Sequence, residues 1–164
     1  MTRITLALNA ASTFMMMGIV WFAQVVHYPL LDEVGFEALP SYQRLNIQLT
    51  TSLAGPIMAM EAGTALILAW KRPAAVSRSA AMTGLALVAV IWISTAILQL
   101  PQHEALAGGF DPAAHAALVG SNWIRTIAWS LRGALVVWMI LKVITPNGAP
   151  HSPTSLDAVK PPDV

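Results

Sequence analysis

The chain contains no cysteine, and only 10% of its 164 residues are charged. Without cysteine there can be no disulfide, no thiolate metal site and no cysteine nucleophile. Soluble domains carry roughly 25% charged residues, so the scarcity of charge excludes an ordinary soluble domain. The net charge is only +1, which offers no basic surface to a nucleic acid, and we expect no nucleic-acid partner.

Apolar residues take the place of the missing charges. They make up 56% of the chain and gather into four runs, at about 4–27, 47–70, 80–100 and 118–144. About 20 apolar residues suffice for a helix to cross a bilayer. We therefore predict one all-α integral membrane domain over residues 1–145, a four-helix bundle whose direct partner is the lipid bilayer. Because the first run exceeds the roughly 7–15 residues of a signal-peptide core, we expect it to be retained.

The segments between the runs carry the turn signals. Proline-rich residues 146–164 are predicted to form a disordered tail. Residues 32–46 mix charged and apolar side chains, and we expect short interfacial pieces broken near Pro40. Pro56 predicts a kink in the second span. Asp111 followed by Pro112 indicates the start of a helix, after a flexible point at Gly108 and Gly109.

Basic residues predict the orientation of the bundle. The segment between the second and third runs contains Lys71, Arg72 and Arg78 without an acid, whereas the other two connections are mainly acidic. Basic loops stay in the cytoplasm. The pattern predicts an up-down bundle with both termini cytoplasmic, as a multi-pass protein of a bacterial inner membrane. The tail would then be cytoplasmic as well.

Two charges lie deep in the predicted spans. Glu61 is about 14 residues into the second run and Arg132 about 12 into the fourth, so both should sit at a similar depth of ~20 Å. A buried charge needs a partner, and we predict a buried ion pair between them. This pair could fix the register of the bundle, or Glu61 could act as a weak base.

Polar side chains from all four runs also gather near the outer face. They are Gln24, His27 and Tyr28 at the end of the first run, Gln48, Thr50 and Thr51 at the start of the second, Gln99 and His103 at the end of the third and just after it, and Asn122, Trp123, Arg125 and Trp129 in the fourth. One interpretation is a row of interfacial residues that meet water. The other is a polar cup that opens outward, in which Trp129 could stack on a flat substrate or on an arginine.

Cofactor ligands are sparse. His27 and His103 could ligate a haem, and a metal site would need a third strong ligand such as His115. The run Met15–Met17 could offer copper ligands, but consecutive helical residues point in different directions, so we interpret it as packing. We predict no cofactor and no metal site, while the sequence leaves haem and copper open.

Four stretches together resemble a family of small four-helix membrane proteins of bacteria and fungi. They are QVVHYPL, GPIMAMEAGTAL, LQLPQHEAL and SNWIRTIAWSLR, and the resemblance covers most of residues 1–145. The family is known mostly as a domain of unknown function, and some fungal members are called anthrone oxygenases. A histidine or a similar polar residue is common in the family where this chain has Gln43.

The resemblance implies a function as well as a fold. Anthrone oxygenases oxidise an anthrone with dioxygen, and the resemblance implies a reaction without a cofactor. His27 or His103 would then be the base, and Arg125 or Asn122 would stabilise the phenolate oxygen. Gln24, Tyr28, Gln99, Trp123 and Trp129 would contact the substrate.

Two functions from different classes remain open. The first is an oxygenase or oxidoreductase acting on a hydrophobic aromatic or quinone-like small molecule. The second is a non-enzymatic membrane protein that binds a small molecule, a metal, a haem or a partner subunit, which could be another copy of the chain. The sequence does not decide whether the protein is an enzyme.

Overall fold

The computed structural model describes residues 2–145, and the predicted disordered tail lies outside them. Within this range every regular element is helical. Four helices are long and apolar enough to cross a membrane: α1 (Thr2–Glu33), α2 (Leu39–Trp70), α3 (Arg78–Gly108) and α4 (Pro112–Ile144). This confirms the predicted all-α class and is the architecture of a multi-pass membrane protein.

The helices are longer than the apolar runs that predicted them. At ~1.5 Å per residue each measures about 47–50 Å, whereas the hydrocarbon core of a bilayer is about 30 Å thick. Pro40 was expected to break the chain, but it lies in the first turn of α2, where a missing N–H costs nothing. The expectation of short pieces was therefore wrong from Leu39 onward, whereas Leu31–Glu33 does form a short 3₁₀ turn.

The predicted start of α4 is confirmed. The side chain of Asp111 accepts hydrogen bonds from the backbone N–H groups of Ala113 and Ala114, and Pro112 occupies the first turn. Just before it, Gly109 ends α3 with φ 149° and ψ 169°, a conformation that essentially only glycine adopts. α2 continues as a single helix through Pro56.

The helices pack as a ring. α1 contacts mainly α2 and α4, and α3 contacts mainly the same two helices. Three apolar clusters follow one another along the bundle. One of them joins the first turns of α1 and α3 to the last turns of α2 and α4, through Leu6, Leu68, Ala80 and Met139. The middle cluster is built around Trp129 and Met16, and the cluster at the other end includes Tyr28, Leu39 and Leu118.

The outward faces of the helices are apolar. Large hydrophobic side chains such as Phe22, Leu53 and Ile97 are 59%, 58% and 66% exposed. A contiguous apolar surface of this kind is unfavourable in water and is typical of a face that meets lipid. The polar side chains of α1 face inward instead: Asn9 and Thr13 are buried, as their place in an apolar helix predicts.

α1 and α3 contain the same irregularity. Each has a five-residue π-helical turn, Ala23–His27 in α1 and Thr95–Gln99 in α3, and each turn is followed two residues later by a proline, Pro29 or Pro101. Proline has no N–H and would clash with the carbonyl four residues earlier in a regular helix. A π-turn admits one extra residue and relieves that clash. It also rotates the next turn of the helix, and both prolines lie beside the histidines described next.

Candidate functional site

A cavity of about 750 Å³ lies among the helices on the side of the bundle where the π-turns occur. Most of its wall is apolar, with residues such as Met16, Ile19 and Met58. The polar part of the wall is formed by His27, Tyr28, Asn46, Thr50, Thr51, Thr95, Gln99, His103, Asn122 and Arg125. A large apolar space with a few convergent polar groups is the usual form of a small-molecule site.

His103 is held at the polar wall by two neighbours. The Gln43 side chain lies 2.7 Å from Nδ1 of His103, and the Tyr28 hydroxyl lies 3.5 Å from Nε2. Gln43 is fully buried, and its Oε1 accepts a hydrogen bond from Asn46, which accepts one from Thr50. Successive hydrogen bonds from Thr50 to Asn46 to Gln43, along one face of α2, therefore orient the imidazole ring of His103 on α3.

His27 approaches the same wall from α1. Its ring stacks on Tyr42 with the centroids 6.3 Å apart, and it also lies against Tyr28. The Asn46 side chain lies within hydrogen-bonding reach of the ring. Asn46 thus supports His27, and Gln43, which is bonded to Asn46, supports His103. Both histidines line the cavity.

Arg125 supplies the cation of the wall. Its guanidinium lies beside the Tyr28 hydroxyl, and its Cζ sits over the Trp129 ring, 5.2 Å from the centroid. Its Nε has no hydrogen-bond partner among residues 2–145. A cation on an aromatic face keeps its donors available at its edge, so Arg125 can bind an oxygen of a molecule in the cavity.

Trp129 connects this wall to a second polar group below the cavity. Arg125 covers one face of the indole, and the indole Nε1 donates a 2.9 Å hydrogen bond to Oε2 of Glu61. Oε1 of Glu61 accepts from Arg132 Nε at 2.7 Å and from Thr13 at 2.7 Å. The structure thus brings Glu61 and Arg132 together, as their depth predicts.

The ion pair is fully enclosed and well satisfied. Glu61 and Arg132 are 2% and 1% exposed. Beyond Glu61, the Arg132 guanidinium donates to Asn9 Oδ1, Thr13 and the backbone carbonyl of Gly84, so all four helices meet at this pair. A buried charge pair costs least when hydrogen bonds satisfy its remaining donors and acceptors, and this pair meets that condition.

No protein-family model, no curated protein and no solved structure matches the chain.

The structure brings most of the residues named from the sequence to one place. His27, Tyr28, Gln99, His103, Asn122 and Arg125 line the cavity, and Gln24 lies behind Asn122, to which it is hydrogen-bonded. Trp123 is not among them: it is 43% exposed and packs edge-on against Trp21. Trp129 is fully buried beneath Arg125, so its face stacks on the arginine.

Sequence analysis missed Gln43 and Asn46, which fell in the stretch assigned to interfacial pieces. The signal was present, because Gln43, Asn46 and Thr50 recur at the spacing of one helical face. An α2 that begins at Leu39, with Pro40 in its first turn, places all three beside the cavity.

Candidate metal ligands do not gather into a cluster within the described residues. No group of three or more His, Cys, Asp or Glu side chains that could hold a metal ion occurs there. His115, considered as a third ligand, instead lies 3.1 Å from Asp32 and bonds the backbone oxygen of Tyr28. Met16 is fully buried and Met15 is 51% exposed, so these two neighbours point apart.

Proposed function

We propose that the cavity binds a hydrophobic aromatic or quinone-like molecule from the membrane, and that the protein acts on it as an oxygenase or oxidoreductase. The observation that carries this proposal is the single polar wall of the cavity. It sets a cation, Arg125, near two imidazoles, His27 and His103, and faces an apolar volume of about 750 Å³. That volume accommodates a molecule of several fused rings.

The route of access supports a lipid-soluble ligand. Three lining residues, Phe22, Leu53 and Trp92, are 59%, 58% and 44% exposed, so the wall of the cavity reaches the apolar outer surface. A hydrophobic molecule can then enter sideways from the bilayer. It would place its rings among the apolar residues and direct an oxygen toward Arg125.

The placement in the membrane follows from the charges. We propose an up-down bundle with both termini and the Lys71–Arg78 segment in the cytoplasm, in a bacterial inner membrane. In this orientation His27 lies about 14 Å from the midpoint of α1, near the outer edge of the hydrocarbon core. The Glu61–Arg132 pair lies on the other side of the midplane and closes the cavity from below.

The chemistry would begin with proton removal. His103 or His27 takes a proton from an activated ring carbon, and Arg125 stabilises the charge that develops on the ring oxygen. The carbanion forms a C–O bond with dioxygen, and the resulting peroxide anion recovers the proton from the imidazole. Loss of water from the hydroperoxide then leaves a carbonyl, so that a CH₂ group and O₂ become C=O and H₂O.

Anthrone itself is a suitable probe for this reaction. We expect purified protein in detergent to accelerate its conversion to anthraquinone, with one O₂ consumed for each molecule oxidised. His103→Ala, His27→Ala and Arg125→Ala should each lower the rate at least about tenfold. Arg44→Ala is the matched control, because Arg44 is an exposed arginine outside the cavity wall that donates to the backbone oxygen of Ala107.

Two results would decide between enzyme and binding protein. If anthrone or anthraquinone binds, Arg125→Ala abolishes binding and no oxidation is detected, the cavity belongs to a non-enzymatic binding protein. If neither compound binds to folded wild-type protein, the proposal of an aromatic ligand is wrong. A visible spectrum of the same sample would reveal a stoichiometric haem, which would replace cofactor-free chemistry.

A further inference from the structure

Asn122 carries a buried acceptor that no described residue uses. The residue is 0% exposed and lines the cavity, and its Oδ1 has no hydrogen-bond partner within residues 2–145. A buried polar atom without a partner is unfavourable, and it normally has one when the site is occupied. The identity of that partner depends on which end of the amide faces the cavity.

The orientation of this amide follows from a backbone carbonyl. Gln24 contacts the carbonyl oxygen of Val119 with its Nε2, at 3.3 Å, and a carbonyl oxygen can only accept. The other end of Gln24, its Oε1, therefore faces Asn122 and must receive a donor. That donor is Nδ2 of Asn122 at 2.8 Å, which leaves Oδ1 of Asn122 as the free end.

The rest of the wall presents donors. Nε2 of Gln99 and Nε of Arg125 are the other buried side-chain atoms without a hydrogen-bond partner among the described residues, and both residues line the cavity. Gln99 is held by Ser94, which donates to its Oε1 at 3.0 Å. The cavity thus offers two donors for a carbonyl or phenolate oxygen and one acceptor, on Asn122, that only an O–H or N–H group can satisfy.

We infer that Asn122 Oδ1 binds a hydroxyl group of the ligand, so that the site selects hydroxyl-bearing aromatic ketones over analogues whose oxygens only accept. This inference rests on the proposed function, since it specifies the ligand of the same cavity. A quinone or an aryl ether would leave Asn122 Oδ1 buried and unpaired. Sites built to bond a substrate hydroxyl discriminate strongly against analogues that lack it.

Three ring-matched compounds test the inference: 2-hydroxyanthraquinone, 2-methoxyanthraquinone and anthraquinone. All keep the carbonyl for Arg125, and only the first can donate a hydrogen bond. Their dissociation constants would be measured by calorimetry on full-length protein in detergent, at a pH where the hydroxyl stays protonated. We expect wild-type protein to bind the hydroxy compound at least about tenfold more tightly than the other two.

Two variants assign the preference to one atom. Asn122→Leu has similar volume and lacks the acceptor, and it should bind all three compounds with equal affinity. Thr126→Val is the matched control, because Thr126 is equally buried and contacts Asn122 Nδ2 at 3.4 Å but leaves Oδ1 in place. It should keep the preference for the hydroxy compound. If Asn122→Leu does not fold, equal affinities of the wild-type protein for the three compounds still overturn the inference.

The outcomes separate this inference from the proposed function. If wild-type protein binds the three compounds with equal affinity, the cavity binds aromatic ketones but Asn122 does not recognise a hydroxyl group. This result overturns the inference and leaves the proposed function standing. A preference that persists in Asn122→Leu overturns it as well. If none of the three compounds binds, the proposed aromatic site fails and the inference fails with it.

Discussion

At the scale of single residues, the buried polar groups carry most of the information. Glu61 and Arg132 were expected to meet because each is too costly to leave alone in an apolar run. The structure adds what sequence could not give, namely the other contributors to the pair: Thr13, Asn9, Trp129 and the carbonyl of Gly84. These contacts depend on the rotation of four helices, which spacing within one helix does not determine.

Breaking the ion pair should destabilise the bundle. Glu61→Gln or Arg132→Met leaves its partner buried without a counter-charge, and we expect each to cost about 3–5 kcal/mol in free energy of unfolding. The double variant should lose less than the sum of the two, because neither charge then remains unpaired. Denaturation in mixed micelles would measure all three. Strict additivity would show that the two side chains are not coupled.

Gly84 tests how tightly Arg132 is held. A Cβ at position 84 would lie 3.3 Å from an Arg132 terminal nitrogen, and the same guanidinium bonds the Gly84 carbonyl. Gly84→Ala should therefore destabilise the protein by about 1–3 kcal/mol.

Gly63→Ala is the control for Gly84→Ala. Its Cβ would meet nothing within 4 Å, and it should instead stabilise α2 by about 0.5–1 kcal/mol. Equal effects of the two substitutions in the same unfolding assay would contradict the described packing around Arg132.

Gln43 is a buried polar residue that supports His103 on the polar wall of the cavity. Gln43→Leu removes the hydrogen bond to His103 and leaves Asn46 without its acceptor, so we expect a loss of about 1–3 kcal/mol in unfolding free energy. The imidazole nitrogen shifts of His103 in an NMR spectrum should change as well. Gln48→Leu, an exposed position five residues away on α2, should change neither. An unaltered His103 spectrum in Gln43→Leu would refute the supporting role.

At the scale of elements, the number of long helices could be predicted from the sequence, but the start of α2 and the π-turns could not. Four apolar runs predicted four helices, and the Asp111-Pro112 pair marked the start of α4 correctly. The prolines were harder, because their effect depends on position. Pro40 begins α2, whereas Pro29 and Pro101 follow π-turns. A proline pattern in sequence does not distinguish a helix start from a π-turn that rotates the next residues toward a cavity.

The π-turns should be required for the geometry of the site. Pro101→Ala restores an N–H that can close a regular α-turn, which would rotate His103 away from Gln43 and Tyr28. We expect the variant to fold and to bind 2-hydroxyanthraquinone at least about tenfold more weakly. Pro40→Ala, in the first turn of α2, should bind like wild type. If Pro101→Ala binds normally, the π-turn is not needed to position His103.

At the scale of the whole molecule, the proposed orientation assigns each connection between helices to one side of the membrane. The predicted up-down arrangement places the Lys71–Arg78 segment opposite the two other connections. Single cysteines at exposed positions, Glu37→Cys, Ala75→Cys and Gly108→Cys, can be labelled by an impermeant maleimide in intact cells. Positions 37 and 108 should label from outside, and position 75 only after the membrane is opened. Labelling of all three from one side would contradict the orientation.

Filling the cavity between the helices would show whether an aromatic molecule binds there. Ala54 is buried and lines the cavity, one turn of α2 beyond Thr50 and about two turns beyond Asn46. Ala54→Phe should therefore occupy the space that the rings need while leaving Arg125, Asn122 and both histidines in place. The measurement is the dissociation constant of 2-hydroxyanthraquinone for the wild-type protein and for Ala54→Phe. An unchanged melting temperature of the variant would serve as the control for folding. We expect binding to the wild type and an affinity at least about tenfold lower in the variant, whereas equal affinity would show that the molecule binds elsewhere.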